Sequence, residues 1–235
     1  MNQNKILALL CISFCIFQIS QATQKDAYVL SYLWPVYENY SGDKEFTKQD
    51  FPFFDGSNFA INYFYPLPDQ SYVCSPPICN NHHTFNATNI KEKDYIYLEK
   101  YFLRFGQNNS QTSQDLWKNY GSCYNHSQTQ YFHAMSQAHQ KLNVVEALKA
   151  ENIVPSEEII YERSQIQKAL SKKLNGLMPD LFCSKFTIDQ EKGESYSYLR
   201  RFEIYFDKDL NPTQSTYLCT YEYCPDKIKI PPFKF

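Results

Sequence analysis

The chain has 235 residues, with 23 Lys and Arg against 25 Asp and Glu and a net charge of −2 at pH 7, which excludes the strongly basic face that sequence-independent polyanion binding demands. Its length suits one domain with a sizeable core. The 20 tyrosines and 18 phenylalanines offer stacking surfaces, but most belong in cores and strands.

The mostly apolar run Ile6 to Ile19 follows Lys5, and Ser20-Gln21-Ala22 supplies small residues where a signal peptidase reads. Residues 1–22 are therefore expected to be a signal peptide and residues 23–235 a single domain. An apolar run of about 14 residues falls short of the roughly 20 that a membrane-spanning helix needs. Asp26 to Pro35 reads as a central strand buried on both faces, Asn39 to Phe54 as an exposed loop, and Phe59 to Phe64 as a second strand ending at Pro66. The proline-rich piece Pro66 to Pro77 cannot be helical. His82-His83 lies between asparagines without a third ligand at defined spacing, which suits a solvated loop better than a metal site. Tyr95, Leu98, Phe102 and Phe105 give Lys91 to Phe105 a helical period, and the polar residues Gln107 to Gln114 interrupt it. Tyr131 to Ala150 predicts a helix with a break at Asn143. Pro155 followed by Ser156-Glu157-Glu158 reads as a helix start with acidic residues in its first turn, running to Gly176. From Cys183 the period becomes two, with strands over Phe186 to Ile188, Tyr196 to Phe206 and Ser215 to Tyr223, joined by turns at Glu191-Lys192-Gly193 and Asp209 to Pro212. Helices gathered in the middle and strands at both ends predict an α+β fold, an antiparallel or mixed central sheet with helices packed on one side.

Of the 8 cysteines, Cys11 and Cys15 would leave with the signal peptide. Cys74, Cys79, Cys123, Cys183, Cys219 and Cys224 remain, an even set that in a secretory compartment implies disulfides whose pairing the sequence leaves open. Zinc is the rival reading, but the spacings of Cys74 to Cys79 and Cys219 to Cys224 are not those of CxxC pairs. Sequons stand at Asn39, Asn86, Asn108 and Asn125, while Asn211 is blocked by Pro212.

The stretch Gln114-Asp115-Leu116-Trp117-Lys118-Asn119-Tyr120-Gly121-Ser122-Cys123 organises the rest. Leu116, Trp117 and Tyr120 make a helical stripe, Gly121 suits a left-handed cap, and Cys123 follows. Together with Phe59-Ala60-Ile61-Asn62-Tyr63-Phe64-Tyr65-Pro66 it resembles the paired active-site segments of the ribonuclease T2 family of secreted RNases, which read roughly FTIHGLWP and FWxHEWxKHGTC. Val29 to Pro35, Tyr131-Phe132 with the helical run to Leu148, Ile153-Val154-Pro155, the turn Pro179-Asp180-Leu181-Phe182-Cys183 and the strand Phe202-Glu203-Ile204 follow the family's order. The resemblance implies the same α+β architecture. It also implies that Cys123 pairs with Cys74 or Cys79 and Cys183 with Cys219 or Cys224, although the family's cysteine in the Glu203 strand stands here as Tyr205 or Phe206. Trp34 and Trp117 are expected in the core.

Enzymes of that family make the ribose 2'-OH attack its own phosphate, which takes a base, an acid for the departing 5'-oxygen and cationic donors on the phosphate. The resemblance places the family's first histidine at Asn62, its glutamate at Leu116, its lysine at Asn119 and its second histidine at Tyr120, so every main catalytic position is substituted. Asp115, Lys118 and His126 are the nearest possible substitutes, but one residue along a helix turns a side chain by about 100°. The expectation is a secreted ribonuclease T2-like glycoprotein, monomeric, that binds RNA or nucleotides with lost or strongly reduced cleavage. No DNA partner, cofactor, metal or membrane span after signal cleavage is expected, and the location is extracellular or the lumen of a secretory or lysosomal-type compartment. The alternatives are an active endoribonuclease working through a 2',3'-cyclic phosphate with non-standard residues, and an interaction or storage protein on the same scaffold.

Overall fold

The computed structural model describes residues 28–34, 59–67, 78–79, 83–102, 109–123, 126–184, 187–189, 193–214 and 224–232. The expected signal peptide, the loop after Asn39, His82, Cys74, Cys219, Asn39, Asn108, Asn125 and the strand over Ser215 to Tyr223 lie outside them.

The two-residue period near the C-terminus produces one long strand, β6 (Glu194–Phe206), and the other strands join it directly or through one intermediary. β1 (Tyr28–Leu33) and β4 (Asp180–Cys183) flank it in antiparallel register, so that Ser31 and Asp180 both stand opposite Glu203. β2 (Ala60–Pro66) pairs outside β1, while β5 (Thr187–Asp189) and β7 (Pro212–Thr213) pair along β6. β8 (Lys227–Lys229) runs parallel to β6 and carries β3 (Ile160–Glu162) antiparallel on its far edge. The sheet is mixed and the fold is α+β.

Alternation assigns the two faces. Tyr28, Leu30 and Tyr32 of β1 share one face with Ile61, Phe64, Phe202, Ile204 and Phe206, and Tyr32 stacks on Phe202 at 4.7 Å. Helices cover this face. α3 (Gln128–Gln140) places Tyr131 against Phe64 at 5.6 Å and His139 against Tyr32 at 5.3 Å, and its Phe132 and Met135 are fully buried. Full burial of such side chains stabilises by roughly 1.5–3 kcal/mol each. Ser127 and Gln130 form a reciprocal capping box at the start of α3, and Asn143 accepts from the backbone of Glu146 to start α4 (Val144–Lys149), which is the break read at that residue. The opposite face carries Val29, Ser31, Leu33, Tyr63, Tyr65, Arg201, Glu203, Tyr205 and Asp180. Trp34 is buried, and its indole N–H donates to the Pro231 carbonyl at 2.8 Å.

Several local expectations are corrected. α1 (Glu92–Glu99) stops short of Phe102, because Tyr101 turns its carbonyl to the Ile61 N–H at 2.8 Å and Phe102 bridges to Ile61 instead of continuing the helix. α2 (Asn109–Asn119) begins inside the polar stretch, where Thr112 and Ser113 are buried despite their hydroxyls. No helix starts at Pro155. Ser156 caps the N–H groups of Glu158 and Ile159, Ile160 and Tyr161 pair with Lys229 and Ile228 in β3, and the helix α5 (Arg163–Ser171) begins only after Glu162. The turn expected at Pro179 to Cys183 is the strand β4, held by Phe202 and Arg201 across the ladder.

Candidate functional site

β2 and the end of α2 meet through three aromatic side chains. The Tyr120 ring packs on Tyr63 at 5.2 Å and on Tyr65 at 6.3 Å, while the Tyr131 hydroxyl donates to the Phe64 carbonyl at 2.6 Å and lies 3.4 Å from the Leu116 carbonyl. Cys79 is bonded to Cys123, and the Cys79 N–H donates to the Asn119 carbonyl at 2.8 Å, so the segment after β2 is tied to the end of the helix. A second disulfide joins Cys183 to Cys224. Gly121 does not take the left-handed cap: among the described glycines only Gly176 and Gly193 have positive φ. Gly121 is required by space, since a Cβ there would lie 2.6 Å from a Trp117 ring carbon and 2.8 Å from the Tyr131 ring. Trp117 is buried, as read from the sequence, and its indole N–H has no partner among the described residues.

Asn62 is the extra residue of a β-bulge: Tyr63 pairs with Ser31 and Ile61 with Tyr32, which leaves Asn62 with no residue opposite it on β1. A bulge re-aims a side chain, and this one is half-buried beside Tyr63. Leu116 is fully buried in the core, Tyr120 is buried by its ring contacts, and Asn119 is half-buried with its carbonyl engaged. Asp115 is half-buried on α2, Lys118 is exposed, and His126 is exposed beyond the disulfide. The fold therefore brings Tyr63, Tyr65 and Tyr120 together beside Asn62, while Leu116 turns inward. None of Asn62, Leu116 and Asn119 carries a group that exchanges protons near neutral pH. Two further histidines are spoken for elsewhere: His133 Nδ1 meets the buried Asp94 carboxylate at 2.9 Å, and His139 meets the Tyr97 hydroxyl at 2.7 Å.

Sequence reasoning missed the polar cluster on the same face of the sheet as Tyr63 and Tyr65. Glu203 is 5% exposed, and burial pushes its carboxyl up to about 7, opposed by Arg201, whose Nε lies 3.8 Å away. Asp180 opposite is raised by burial and held back by the Tyr205 hydroxyl, which donates to it at 3.0 Å. Burial also raises Tyr65. The alternation places Glu203 on the face opposite Phe202 and Ile204, but a single charged residue in a strand does not show that its face is covered.

A family model described as the Ribonuclease T2 family matches residues 8–215 of the chain. No curated protein sequence matches it. Similar solved structures include RNase NT in complex with 5'-AMP, at 19% identity and a TM-score of 0.68 over 88% of this chain and 98% of that one. An RNase-related protein from Calystegia sepium matches at 19% identity and a TM-score of 0.65, over 88% of this chain and 97% of that one. A variant of RNase MC1, an enzyme from bitter gourd seeds, in complex with 5'-GMP matches at 18% identity and a TM-score of 0.66 over 87% of this chain and 98% of that one. Identities this low carry the fold and nothing finer.

Proposed function

The chain belongs to the ribonuclease T2 family, and from that premise we propose a secreted protein that binds RNA or nucleotides and has lost efficient RNA cleavage. The observation that carries this reading is the state of the four family positions. By the resemblance, Asn62, Asn119 and Tyr120 stand where the family has two histidines and a lysine, and Leu116, standing where it has the glutamate, is fully buried and can neither touch a substrate nor exchange a proton. The 2'-OH then has no positioned base, the 5'-oxygen no positioned acid, and the phosphate no cation from these positions.

Nucleotide binding draws support from the aromatic group beside Asn62. Tyr63 is half-buried against Tyr120, and base stacking on such a ring is worth about 1–3 kcal/mol. Two neighbours in structure were solved with 5'-AMP and 5'-GMP. Secretion rests on the apolar leader over residues 1–22 and suits the two disulfides found among the described residues. Of the four sequons, Asn86 lies among the described residues and is exposed, and its side-chain oxygen caps Thr88.

The test is an assay of the disulfide-intact mature protein on single-stranded RNA between acidic and neutral pH, beside fluorescence titration with 5'-AMP and 5'-GMP. No cleavage with saturable nucleotide binding is the expected result. Cleavage that disappears on Asp115→Asn, Lys118→Ala or His126→Ala would establish an endoribonuclease working through other residues. Absence of both cleavage and binding would leave the scaffold as an interaction or storage protein.

A further inference from the structure

Asn86 heads the sequon Asn86-Ala87-Thr88, and the fold puts the parts of this residue to different uses. Its backbone is clamped to the start of α3: the Asn86 N–H donates to Gln128 Oε1 at 3.0 Å, and Gln128 Nε2 donates to the Asn86 carbonyl at 2.7 Å. Its side-chain oxygen accepts from the Thr88 N–H at 3.0 Å and from the Thr88 hydroxyl at 2.9 Å, capping the short 3-10 turn Ala87–Asn89. Its side-chain nitrogen has no hydrogen-bond partner among the described residues.

The surroundings keep that nitrogen open. Asn86, Ala87, Thr88 and Asn89 are all exposed, while the segment is anchored on either side of them, by Phe85 against Phe132 at 6.3 Å and by the Thr129 hydroxyl on the Asn89 carbonyl. Capping a turn explains the asparagine, since its oxygen needs only a backbone N–H. It does not call for a hydroxyl two residues on, which is what the glycosylation acceptor adds. A bulky, solubilising substituent also demands a surface position, and here it can be attached without breaking any hydrogen bond that holds the segment to α3.

We propose that Asn86 carries an N-linked glycan. This inference rests on the reading of residues 1–22 as a signal peptide, which delivers the chain to the compartment where the sugar is transferred. There the Asn86 Nδ2 attacks the anomeric carbon of a lipid-diphosphate-linked oligosaccharide. A carbon–nitrogen bond forms as the bond from that carbon to the diphosphate oxygen breaks. The lipid diphosphate leaves with the electron pair, and one Nδ2 proton passes to a base of the transferring enzyme. Oδ1 keeps its place on Thr88, so the sugar projects from a point fixed to the start of α3.

The test expresses the full chain in a eukaryotic secretory host and treats the product with a glycan-releasing amidase in heavy-oxygen water, which turns each glycan-bearing asparagine into labelled aspartate. Peptide mass spectrometry should find the label at position 86 in most molecules. Thr88→Ser should keep it. Thr88→Val, which retains the backbone N–H, and Asn86→Asp, which retains the capping oxygen, should each lose the mass of one glycan and melt at the temperature of the enzymatically deglycosylated parent. Label at Asn39, Asn108 or Asn125 but not at Asn86 overturns the proposal and leaves secretion standing. So does a product that has lost residues 1–22 and carries no label. An unlabelled product that retains residues 1–22 inside the cell overturns both this site and the secretory reading.

Discussion

His139 is 6% exposed among the rings of Tyr32 on β1, Tyr97 on α1 and Tyr101 just beyond it, and burial lowers its pKa from 6.5 to about 3. The unfolded chain binds a proton that the folded chain refuses throughout that window, so stability falls as pH drops below 6.5, by about 1.4 kcal/mol per unit. Glu203 works in the opposite direction. Its folded pKa is raised from 4.5 to about 7 among Ser31, Tyr65, Asp180, Arg201 and Tyr205, so its contribution is fully present below 4.5 and is lost as pH rises through 7. Between these limits the two slopes oppose each other. Urea denaturation across that range should show His139→Phe gaining stability on acidification relative to the parent, and Glu203→Gln losing it. Parallel slopes in all three proteins would mean that neither group is buried in solution as the structure has it.

At the scale of elements, the end of α2 is held by close contact rather than by backbone conformation. Gly121→Ala forces a Cβ into the Trp117 and Tyr131 rings, and overpacking of this kind costs about 1–3 kcal/mol. Trp117→Ala empties a buried site beside Tyr131 and should cost roughly 3–5 kcal/mol. Denaturant midpoints measure both, and a Trp117→Ala protein that unfolds like the parent would place the indole outside the core. Replacing Cys79 and Cys123 by serine releases the segment after β2 from α2, a loss of about 2–5 kcal/mol read from the same curves.

At the scale of the whole molecule, activity asks whether a scaffold with its disulfides and core in place can be given back its chemistry. A positioned acid or base supplies about 100- to 10,000-fold and a preorganised charge donor about 100- to 1,000-fold, although groups acting as a unit do not multiply. Asn62→His with Asn119→Lys and Tyr120→His restores three of the four groups, two at half-buried positions and one at the buried position 120. Adding Leu116→Glu puts a carboxyl where the side chain is fully buried, so the quadruple variant should melt lower than the triple. Cleavage of single-stranded RNA by the triple variant, with the natural protein at background, is the expected outcome. Equal cleavage by the two would show that the chemistry never depended on these positions.

Local pattern was enough for β1, β2 and β6, for the helix broken at Asn143 and for the burial of Trp34 and Trp117, because alternation, helical period and a capping asparagine are properties of neighbouring residues. The family resemblance narrowed the partners of Cys123 and Cys183 to two each, and the structure takes Cys79 and Cys224. Tertiary contacts decided the rest. Ile160 and Tyr161 leave the expected helix because Lys227 to Lys229, far along the chain, offers them a ladder. Thr112 and Ser113 are buried although their polarity marks a loop. The bulge that isolates Asn62 depends on the register of β1, the need for glycine at position 121 on two rings from different elements, and the burial of the Tyr32 hydroxyl on the helices packed over β1. Each arises where segments distant in sequence meet, and a period read along one segment reports the polarity of its faces but not what lies opposite them.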